Sequence, residues 1–260
     1  MHEHASARQA VAQMIRSGDL EGLLRQAEGF HGHRCPMLAL GVKAGHYSMN
    51  YLSPYEHEHE HGHSHGESQG HGHKHSHSHL GPGDVVAVVE GSTCLVDGIQ
   101  LVTGCTLGNN GLIFKDLGKA AVTIARKHDG RAVRLAVRAD FREGMFARYP
   151  AVVPLFEKVM VQKQADAEES HRFQHLWEAI ARRELEVPLT EQFVVETLTL
   201  QPPDTARNLQ TVVCSRCGEG VQAAKARLQD GRNLCLACAG EGFYILSGRG
   251  IESSPLKEQP

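Results

Sequence analysis

The chain has 260 residues with a formal net charge of −3, and 18 histidines and seven cysteines stand out in its composition. The small negative charge argues against a whole-chain field that recruits nucleic acid or an anionic membrane, and 5% aromatic residues argue against a stacking platform for single strands. We expect a cytoplasmic protein with no membrane partner, because the first residues, "MHEHASARQA", do not resemble a signal peptide. In that compartment cysteines act as ligands or nucleophiles and not as disulfides.

The first part of the chain predicts helices. Apolar residues at helical spacing from Ala5 to Glu28 indicate two short amphipathic helices that break near Ser17 and Gly18. "CPMLALGVKAGHYSM" predicts a third helix with Pro36 in its first turn, where proline is tolerated. The histidine-rich stretch that follows, "SPYEHEHEHGHSHGESQGHGHKHSHSHLGPG", predicts a disordered insert over about residues 54–82, because it cannot pack a core.

The middle of the chain alternates between strand and helix patterns. "DVVAVVEG" predicts a strand, and "STCLVDGIQLVTG" a helix capped by Ser92 or Thr93. "LIFKD", "AAVTIARK" and "RAVRLAVRA" predict antiparallel strands, with a hairpin turn at Asp129-Gly130 between the last two. Residues 150–186 predict helices, and "EQFVVETLTL" a further strand. We therefore expect an α+β fold in which helices pack on a mainly antiparallel sheet.

Four cysteines near the C-terminus have the spacing of a structural zinc site. The two C-x2-C pairs are separated by seventeen residues and consist of Cys214, Cys217, Cys235 and Cys238. Four thiolates about 2.3 Å from one Zn²⁺ complete a closed tetrahedron, so such a site supports a fold and says little about activity. The alternative is four unrelated buried cysteines. With "QPPDTARN" as linker, we expect a core domain over 1–200, a treble-clef or ribbon zinc finger over 201–245 and a tail over 246–260.

The histidine-rich insert carries ten regularly spaced histidines. They are His57, His59, His61, His63, His65, His71, His73, His75, His77 and His79. A period of two puts alternate side chains of an extended chain on one side, and neutral imidazole suits Zn, Ni, Cu and Co. So many equivalent donors specify no single site, and the insert is interpreted as a loose metal collector. A neutral spacer is the alternative.

A second histidine motif has a more defined geometry. In "FHGHRCPMLALGVKAGH", Cys35 precedes a proline and should cap the helix that begins at Pro36. The positive end of a helix lowers a thiol pKa. His31, His33 and Cys35 project to one side if the segment is extended, and a turn at Gly32 would bring the two rings close. Two imidazoles and a thiolate leave one ligand position open, a pattern typical of a reactive site. The alternative is histidines beside a structural thiol.

A fourth ligand is expected from "GSTCLVDGIQLVTGCTLGNNG". Cys94 and Cys105 are eleven residues apart, about 16 Å along a regular helix, so both cannot bind one ion. Cys94 is favoured because it lies at the positive helix end, and Cys105 is then a redox or substrate-facing thiol. If the protein is an enzyme, Cys35, Cys105 and Asp97 are the catalytic candidates, with Asp97 as acid/base or as a group that orients a ligand. A solvated or capping carboxylate is the alternative for Asp97.

The motifs resemble the FmdE family, named after one component of molybdenum/tungsten formylmethanofuran dehydrogenase. The resemblance rests on "HGHRCPMLALGVKAG" at 31–45, "CLVDGIQLVTGCTLG" at 94–108, "DLGKAAVTI" at 116–124 and the terminal four-cysteine motif, and spans about residues 20–240. It implies an α+β core, often dimeric, with a treble-clef zinc finger, and a core metal site on the histidine–cysteine motif. "GNNG" at 108–111 replaces the family's glycine–lysine–glycine, and the histidine insert is an addition.

Three functions compete at this point. The first is a metal-handling protein that captures Zn, Ni or Co in the insert and holds or transfers it at the core site, with a metal-accepting protein as partner. The second is a metal-dependent enzyme acting on a small molecule, through one-carbon chemistry or metal insertion into a tetrapyrrole. The third is a nucleic-acid adaptor acting through the finger, which the few basic residues argue against. The expected cofactors are a structural zinc and a second transition metal, and the expected assembly is a homodimer.

Overall fold

The computed structural model describes residues 6–53, 80–81, 83–201 and 210–254. The helices are α1 (Ala7–Ser17), α2 (Leu20–His31), α3 (Pro36–Leu52), α4 (Leu95–Thr103), α5 (Phe141–Arg148), α6 (Val153–Phe156), α7 (Ala167–Glu184), α8 (Leu189–Gln192) and α9 (Leu236–Ala239). The strands are β1 (Val85–Val89), β2 (Leu112–Phe114), β3 (Ala121–Arg126), β4 (Arg131–Val137), β5 (Phe193–Thr199), β6 (Thr211–Val213), β7 (Gly220–Gln222), β8 (Arg227–Gln229), β9 (Arg232–Leu234), β10 (Phe243–Ser247) and β11 (Gly250–Ser254). No helix in these described ranges is long and apolar enough to cross a bilayer.

A five-stranded sheet forms the centre of the core, in the order β2-β1-β3-β4-β5. All its neighbouring pairs are antiparallel except β1 and β2, which are parallel. Alternate residues of β1, at positions 85, 87 and 89, turn towards the helices and belong to one large apolar cluster with α1 to α4 and α7. The predicted α+β class is confirmed, and its antiparallel character comes from β1 and β3 to β5.

Local signals in the sequence set the helix boundaries at the N-terminus. Ser6 and Gln9 form a capping box at the start of α1, and Gly18 ends the helix with φ of 70°. The predicted break near Ser17 and Gly18 is therefore observed. Cys35 is the N-cap of α3, as the following proline predicts.

The start of α4 differs from the prediction. Neither Ser92 nor Thr93 caps this helix, because the N-cap position is Cys94, which makes no side-chain capping hydrogen bond. The helix ends as predicted at Gly104, in a left-handed conformation. The Cys94 sulfur still lies at the N-terminal end of the helix, as the sequence predicts.

Helices α3 and α4 pack unusually close together. An added Cβ at Gly41 would lie 2.1 Å from the Leu95 carbonyl oxygen, and one at Gly98 would lie 2.6 Å from the backbone nitrogen of Val42. Further along, Gly45 faces Val102, so the two helices run in the same direction. Because they are parallel, their N-termini meet at the same end of the pair.

A buried polar group joins α3 to the helical region after β4. The Lys43 ammonium group, 6% exposed, donates hydrogen bonds to the backbone carbonyls of Glu184 and Val187 and to Oε1 of Gln192. Burial lowers the pKa of Lys43 to about 8. All three donors of the ammonium group are used, so this network holds α3 against α7 and offers no free group for chemistry.

Two regions have more structure than the sequence predicts. Between residues 150 and 186, short turns precede α7, and a π-helical turn covers Glu157–Val161. Residues 246–260 are predicted as a tail, but β10 and β11 form an antiparallel hairpin there. The ten histidines of the insert, most of the linker and the last six residues lie outside the described residues.

Candidate metal centres

The first cluster consists of His31, His33, Cys35 and Cys94. One ligand atom from each residue lies within 4.8 Å of all the others. Zn²⁺ with bonds of about 2.0–2.3 Å needs its ligands ~3.3–3.8 Å apart, so small side-chain movements suffice to form a tetrahedron. The structure thus brings together three residues of the first histidine motif with Cys94, as a set of two imidazoles and two thiols.

The close packing of α3 and α4 explains how distant segments supply the sulfurs. Cys35 and Cys94 are the N-caps of two parallel helices whose N-termini meet. The Leu38 amide donates a hydrogen bond of 3.4 Å to the Cys35 sulfur. Both sulfurs therefore lie at positive helix ends, which favour the thiolate form that binds metals.

The two histidines converge through a turn. His31 is the last residue of α2, and Gly32 follows with φ of 95°, so the segment is not extended. The rings of His31 and His33 lie with their centroids 4.4 Å apart. Buried Arg34 makes ion pairs with Glu28 at 2.6 Å and Glu21 at 3.2 Å, which fix this turn. Of the two arrangements that the sequence left open, the turn at Gly32 is the one observed.

His31 is oriented by a carboxylate. Its Nδ1 lies 2.6 Å from Oδ2 of Asp97, and its Nε2 is buried without a hydrogen-bond partner among the described residues. A metal-binding histidine commonly donates its other ring N–H to a carboxylate, which sets the tautomer and strengthens the ligand. The unpartnered Nε2 therefore fits a bond to a metal ion. Asp97 also accepts a hydrogen bond from Gln100 at 3.1 Å.

The hydrogen bond between the two thiols shifts their pKa values in opposite directions. The pKa of Cys94 is lowered to about 6, because the Cys35 thiol hydrogen-bonds to its sulfur and the nearby rings of His31 and His33 favour a negative charge. The pKa of Cys35 is instead raised, first by its hydrogen bond to Cys94 and then by burial, and these effects outweigh the lowering that its position at a helix start predicts. Without a metal the pair thus holds one proton between two sulfurs, and a bound cation would displace it.

Cys105 is separate from this cluster. Its side chain is fully buried, and its thiol donates a 3.6 Å hydrogen bond to the Val85 carbonyl oxygen. Burial raises its pKa, and buried thiols of this kind are unreactive. The structure therefore does not bring Cys105 together with Cys35 and Asp97, the other two catalytic candidates.

A cavity of about 400 Å³ adjoins the cluster. His31, Cys94 and Asp97 form part of its polar lining, and Val96, Phe114 and Leu246 are among its apolar walls. Leu246 belongs to β10, so the C-terminal hairpin closes one side. The Ile251 amide donates a hydrogen bond of 2.8 Å to Asp116 and so fixes the hairpin to the core. This wall was not predicted, because nothing in the C-terminal sequence indicates which surface it covers.

The second cluster is the four-cysteine motif. Its sulfurs also lie within 4.8 Å of one another. The Cys235 amide donates to the Cys214 sulfur at 3.3 Å, and the Cys238 amide donates to the Cys235 sulfur at 3.4 Å. Amide donors, led by that of Cys217, lower the pKa of Cys214 to about 6. Four thiols with amide donors match a closed structural zinc site.

Comparison with known proteins agrees with this arrangement. The family described as "FmdE, Molybdenum formylmethanofuran dehydrogenase operon" matches residues 30–194, more than half of the chain. The chain belongs to the FmdE family. A prokaryotic dksA/traR C4-type zinc finger matches residues 207–241 of this FmdE protein. The family and the finger together indicate a metal-binding protein, with structural zinc at the four cysteines.

Two relatives of this FmdE protein differ in their sequence identity to it and in how much of their own length it covers. A probable S-adenosyl-L-methionine-binding protein of Archaeoglobus fulgidus is 39% identical over 232 residues, which cover 89% of this chain and 56% of the relative. The chain thus spans little more than half of that protein. A crystal structure of a tungsten formylmethanofuran dehydrogenase FmdE-like protein from Syntrophus aciditrophicus is 19% identical, with a TM-score of 0.49, over 85% of this chain and 92% of that chain.

Proposed function

We propose that this protein captures a divalent transition metal, Zn, Ni or Co, and holds it at the core cluster for transfer to an acceptor. The observation that carries the proposal is the convergence of His31, His33, Cys35 and Cys94 within 4.8 Å. Mixed imidazole and thiolate ligands suit these borderline metals, whereas Mg and Ca prefer oxygen ligands. A bound ion would supply a positive charge that holds both sulfurs as thiolates.

The uneven exposure of the four ligands supports transfer over permanent storage. Cys35 is 5% exposed, and the unpartnered nitrogen of His31 is buried. His33, by contrast, is exposed. An acceptor could replace the His33 ring first, while the three other ligands keep the ion in place until the acceptor binds it.

The histidine-rich insert is proposed as the collector that supplies this site. It contributes ten histidines a short distance along the chain from α3, and tethered weak ligands raise the local ion concentration at a nearby tighter site. Deletion of residues 56–79 should then slow loading of the core site when metal is limiting, and leave loading unchanged when metal is in excess. Equal loading at limiting metal would remove the insert from the mechanism.

Elemental analysis of protein purified without an affinity column tests the core proposal. We expect about two tightly bound ions per wild-type chain after exposed weak sites are cleared with a mild chelator. Cys35→Ala should lose the core ion alone, and Cys214→Ala the finger ion alone. Transfer to a fluorescent chelator should show one fast ion in wild type and none in Cys35→Ala. A core ion that never leaves within hours would contradict a transfer role.

A second candidate function, binding of a small molecule beside the metal, is favoured by the cavity. Its polar end contains His31, Cys94 and Asp97, and its walls are mainly apolar, as in many ligand sites. The name of the Archaeoglobus relative supplies a first compound to try. Calorimetric titration of the metal-loaded chain with S-adenosyl-L-methionine tests it, with Val96→Phe to narrow the cavity and Leu228→Phe, at an exposed finger position, as control. Absence of heat in the wild type would reject this ligand and leave the metal-handling proposal untouched.

A further inference from the structure

Helix α7 presents a rigid histidine pair that is separate from both cysteine centres. Asp166 and Glu169 form a capping box at its first turn. On its inner side, Phe173 and Ile180 are buried, and Phe173 stacks on Trp177 with ring centroids 5.2 Å apart. This packing fixes the rotation of the helix about its axis, and so determines which residues lie on the outer face.

His171 and His175 lie on that outer face, one turn apart. Both are exposed, and their Nε2 atoms are 3.1 Å apart, with ring centroids separated by 4.3 Å. Residues four apart on a helix are direct neighbours. The two rings bring the same nitrogen atom, Nε2, together at the surface of the helix.

The distance between the two Nε2 atoms matches the distance between two nitrogens that bind one metal ion. Imidazole nitrogens bind Zn²⁺ at about 2.0–2.1 Å, so two of them at an angle of ~90–109° about one ion lie roughly 2.9–3.4 Å apart. The observed 3.1 Å falls within that range. Insertion of the ion replaces the hydrogen bond between the rings and needs only rotations of the two side chains, because the helix fixes the separation of the two Cα atoms.

Charge on the same face favours a cation. Glu168 lies three residues before His171, and Glu178 lies three residues after His175, so the four side chains form one stripe along the helix. Arg172 lies about 100° round the helix from His171 but only three residues before His175, so its positive charge offsets part of this attraction. Neither carboxylate belongs to a three-ligand cluster with the pair among the described residues. The two histidines are therefore the ligands, and the carboxylates contribute attraction.

We propose that His171 and His175 form a third, exchangeable metal site that binds a borderline transition-metal ion such as Ni²⁺, with water in its other coordination positions. Both ligands are exposed and neither is a thiolate, so this site should be weaker than either cysteine centre. It stands whether or not the core cluster transfers metal.

The test must resolve single histidines, because the ten histidines of the insert are also potential ligands. The full-length chain is equilibrated at pH 7.5 with a series of buffered free Ni²⁺ concentrations and labelled briefly with diethyl pyrocarbonate, which modifies imidazole nitrogens. Peptide mass spectrometry then gives the modified fraction at each histidine. His128, exposed at the turn between β3 and β4, is the internal control. His171→Ala removes one ligand, and Gln174→Ala is the matched control at another exposed position of α7.

We expect His171 and His175 to be protected together, at a free Ni²⁺ concentration about tenfold or more below that which protects His128, because the second ring is already in place when the first binds. In His171→Ala, protection of His175 should shift to the range of His128, whereas Gln174→Ala should behave as wild type. Helix content of both variants is checked by circular dichroism. The proposal fails if the pair is protected no better than His128, or if His175 stays protected in His171→Ala.

Discussion

The two cysteine clusters each bring together four candidate metal ligands, but they differ in how the chain builds them. The finger takes its ligands from two C-x2-C pairs, and its short hairpins bury little: in the described residues 210–254, Cys214 is the only apolar or cysteine side chain that is buried. The core cluster takes its candidate ligands from the end of α2, the turn after it and the starts of α3 and α4, beside a large apolar cluster.

This difference separates the role of the metal from the role of the fold. The finger has too small a core to fold by burial alone, so its ion supplies the stability. The core cluster lies on helices that contribute to a large cluster of buried apolar side chains. We therefore expect metal loss to unfold the finger, and to leave the core domain folded with an empty site.

Removal of all metal gives the largest expected effect. In fully chelated, reduced protein, amide hydrogen exchange over residues 210–241, which match the zinc finger, should reach the rate of an unfolded chain, because structural zinc contributes on the order of 10–16 kcal/mol to the folding of isolated fingers. Amides of β1, β3 and β4 should keep their protection. Mass spectrometry of the exchanged peptides measures both regions in one sample. Retained protection in the finger would contradict the contrast between the two centres.

Replacement of one residue of the core cluster should have the next largest effect, on the affinity for metal. Cys94→Ala should weaken metal binding at the core by more than about 100-fold, beyond the 10–100-fold typical for loss of a group that only supports a ligand. The finger should keep its ion. Cys105→Ala is the matched control, because it removes a buried thiol outside the cluster. Competition with a chromophoric chelator measures both, and equal losses in the two variants would mean that Cys94 is not a ligand.

Replacement of Asp97, the carboxylate that contacts His31, should weaken metal binding less than loss of a ligand does. Asp97→Asn removes the charge that orients the His31 ring, and we expect a 10–100-fold weaker core site, or about 1.4–2.7 kcal/mol. Asp129→Asn removes a carboxylate that pairs with Arg126 in a distant turn and serves as control. If both substitutions leave the affinity unchanged in the same chelator competition, Asp97 does not orient a metal ligand.

Disruption of the close contact between α3 and α4 should lower the free energy of unfolding. An alanine at Gly41 would place its Cβ 2.1 Å from a carbonyl oxygen, so Gly41→Ala should cost about 1–3 kcal/mol of unfolding free energy, or more. Gly29→Ala, in α2 with nothing within 4 Å of its Cβ, should instead stabilise the protein by up to ~1 kcal/mol. Urea unfolding of the core compares them. The Gly41 variant should also bind core metal more weakly, because its two N-cap sulfurs move apart.

The sequence was sufficient for features that depend on neighbouring residues. Cysteine spacing predicted the finger, the proline after Cys35 predicted an N-cap, and alternation predicted most strands of the sheet. The distance between Cys94 and Cys105 along one helix also excluded a site that contains both.

Features that depend on packing between distant segments could not be predicted from the sequence. Position at the positive helix end favoured Cys94, but nothing in the sequence indicated that two parallel helices would approach closely enough at Gly41 and Gly98 to bring their N-terminal sulfurs together. The parallel pairing of β1 with β2 and the cavity wall at Leu246 have the same origin, since both join segments that are far apart in the chain. The histidine pair on α7 has ordinary i,i+4 spacing, which by itself does not distinguish a chelating pair from two solvated side chains.

The hydrogen bond between Asp116 and the Ile251 amide has a thermodynamic consequence. It keeps Leu246 over the cavity, so any molecule that fills the cavity contacts both the core and the hairpin. Linkage then requires that such a molecule strengthen the attachment of the hairpin by the same factor by which the attached hairpin strengthens its binding. Gly250 permits this attachment, since a side chain there would collide with Asp116. A single bulky substitution at this glycine should therefore detach the hairpin and abolish the coupling between its attachment and occupancy of the cavity.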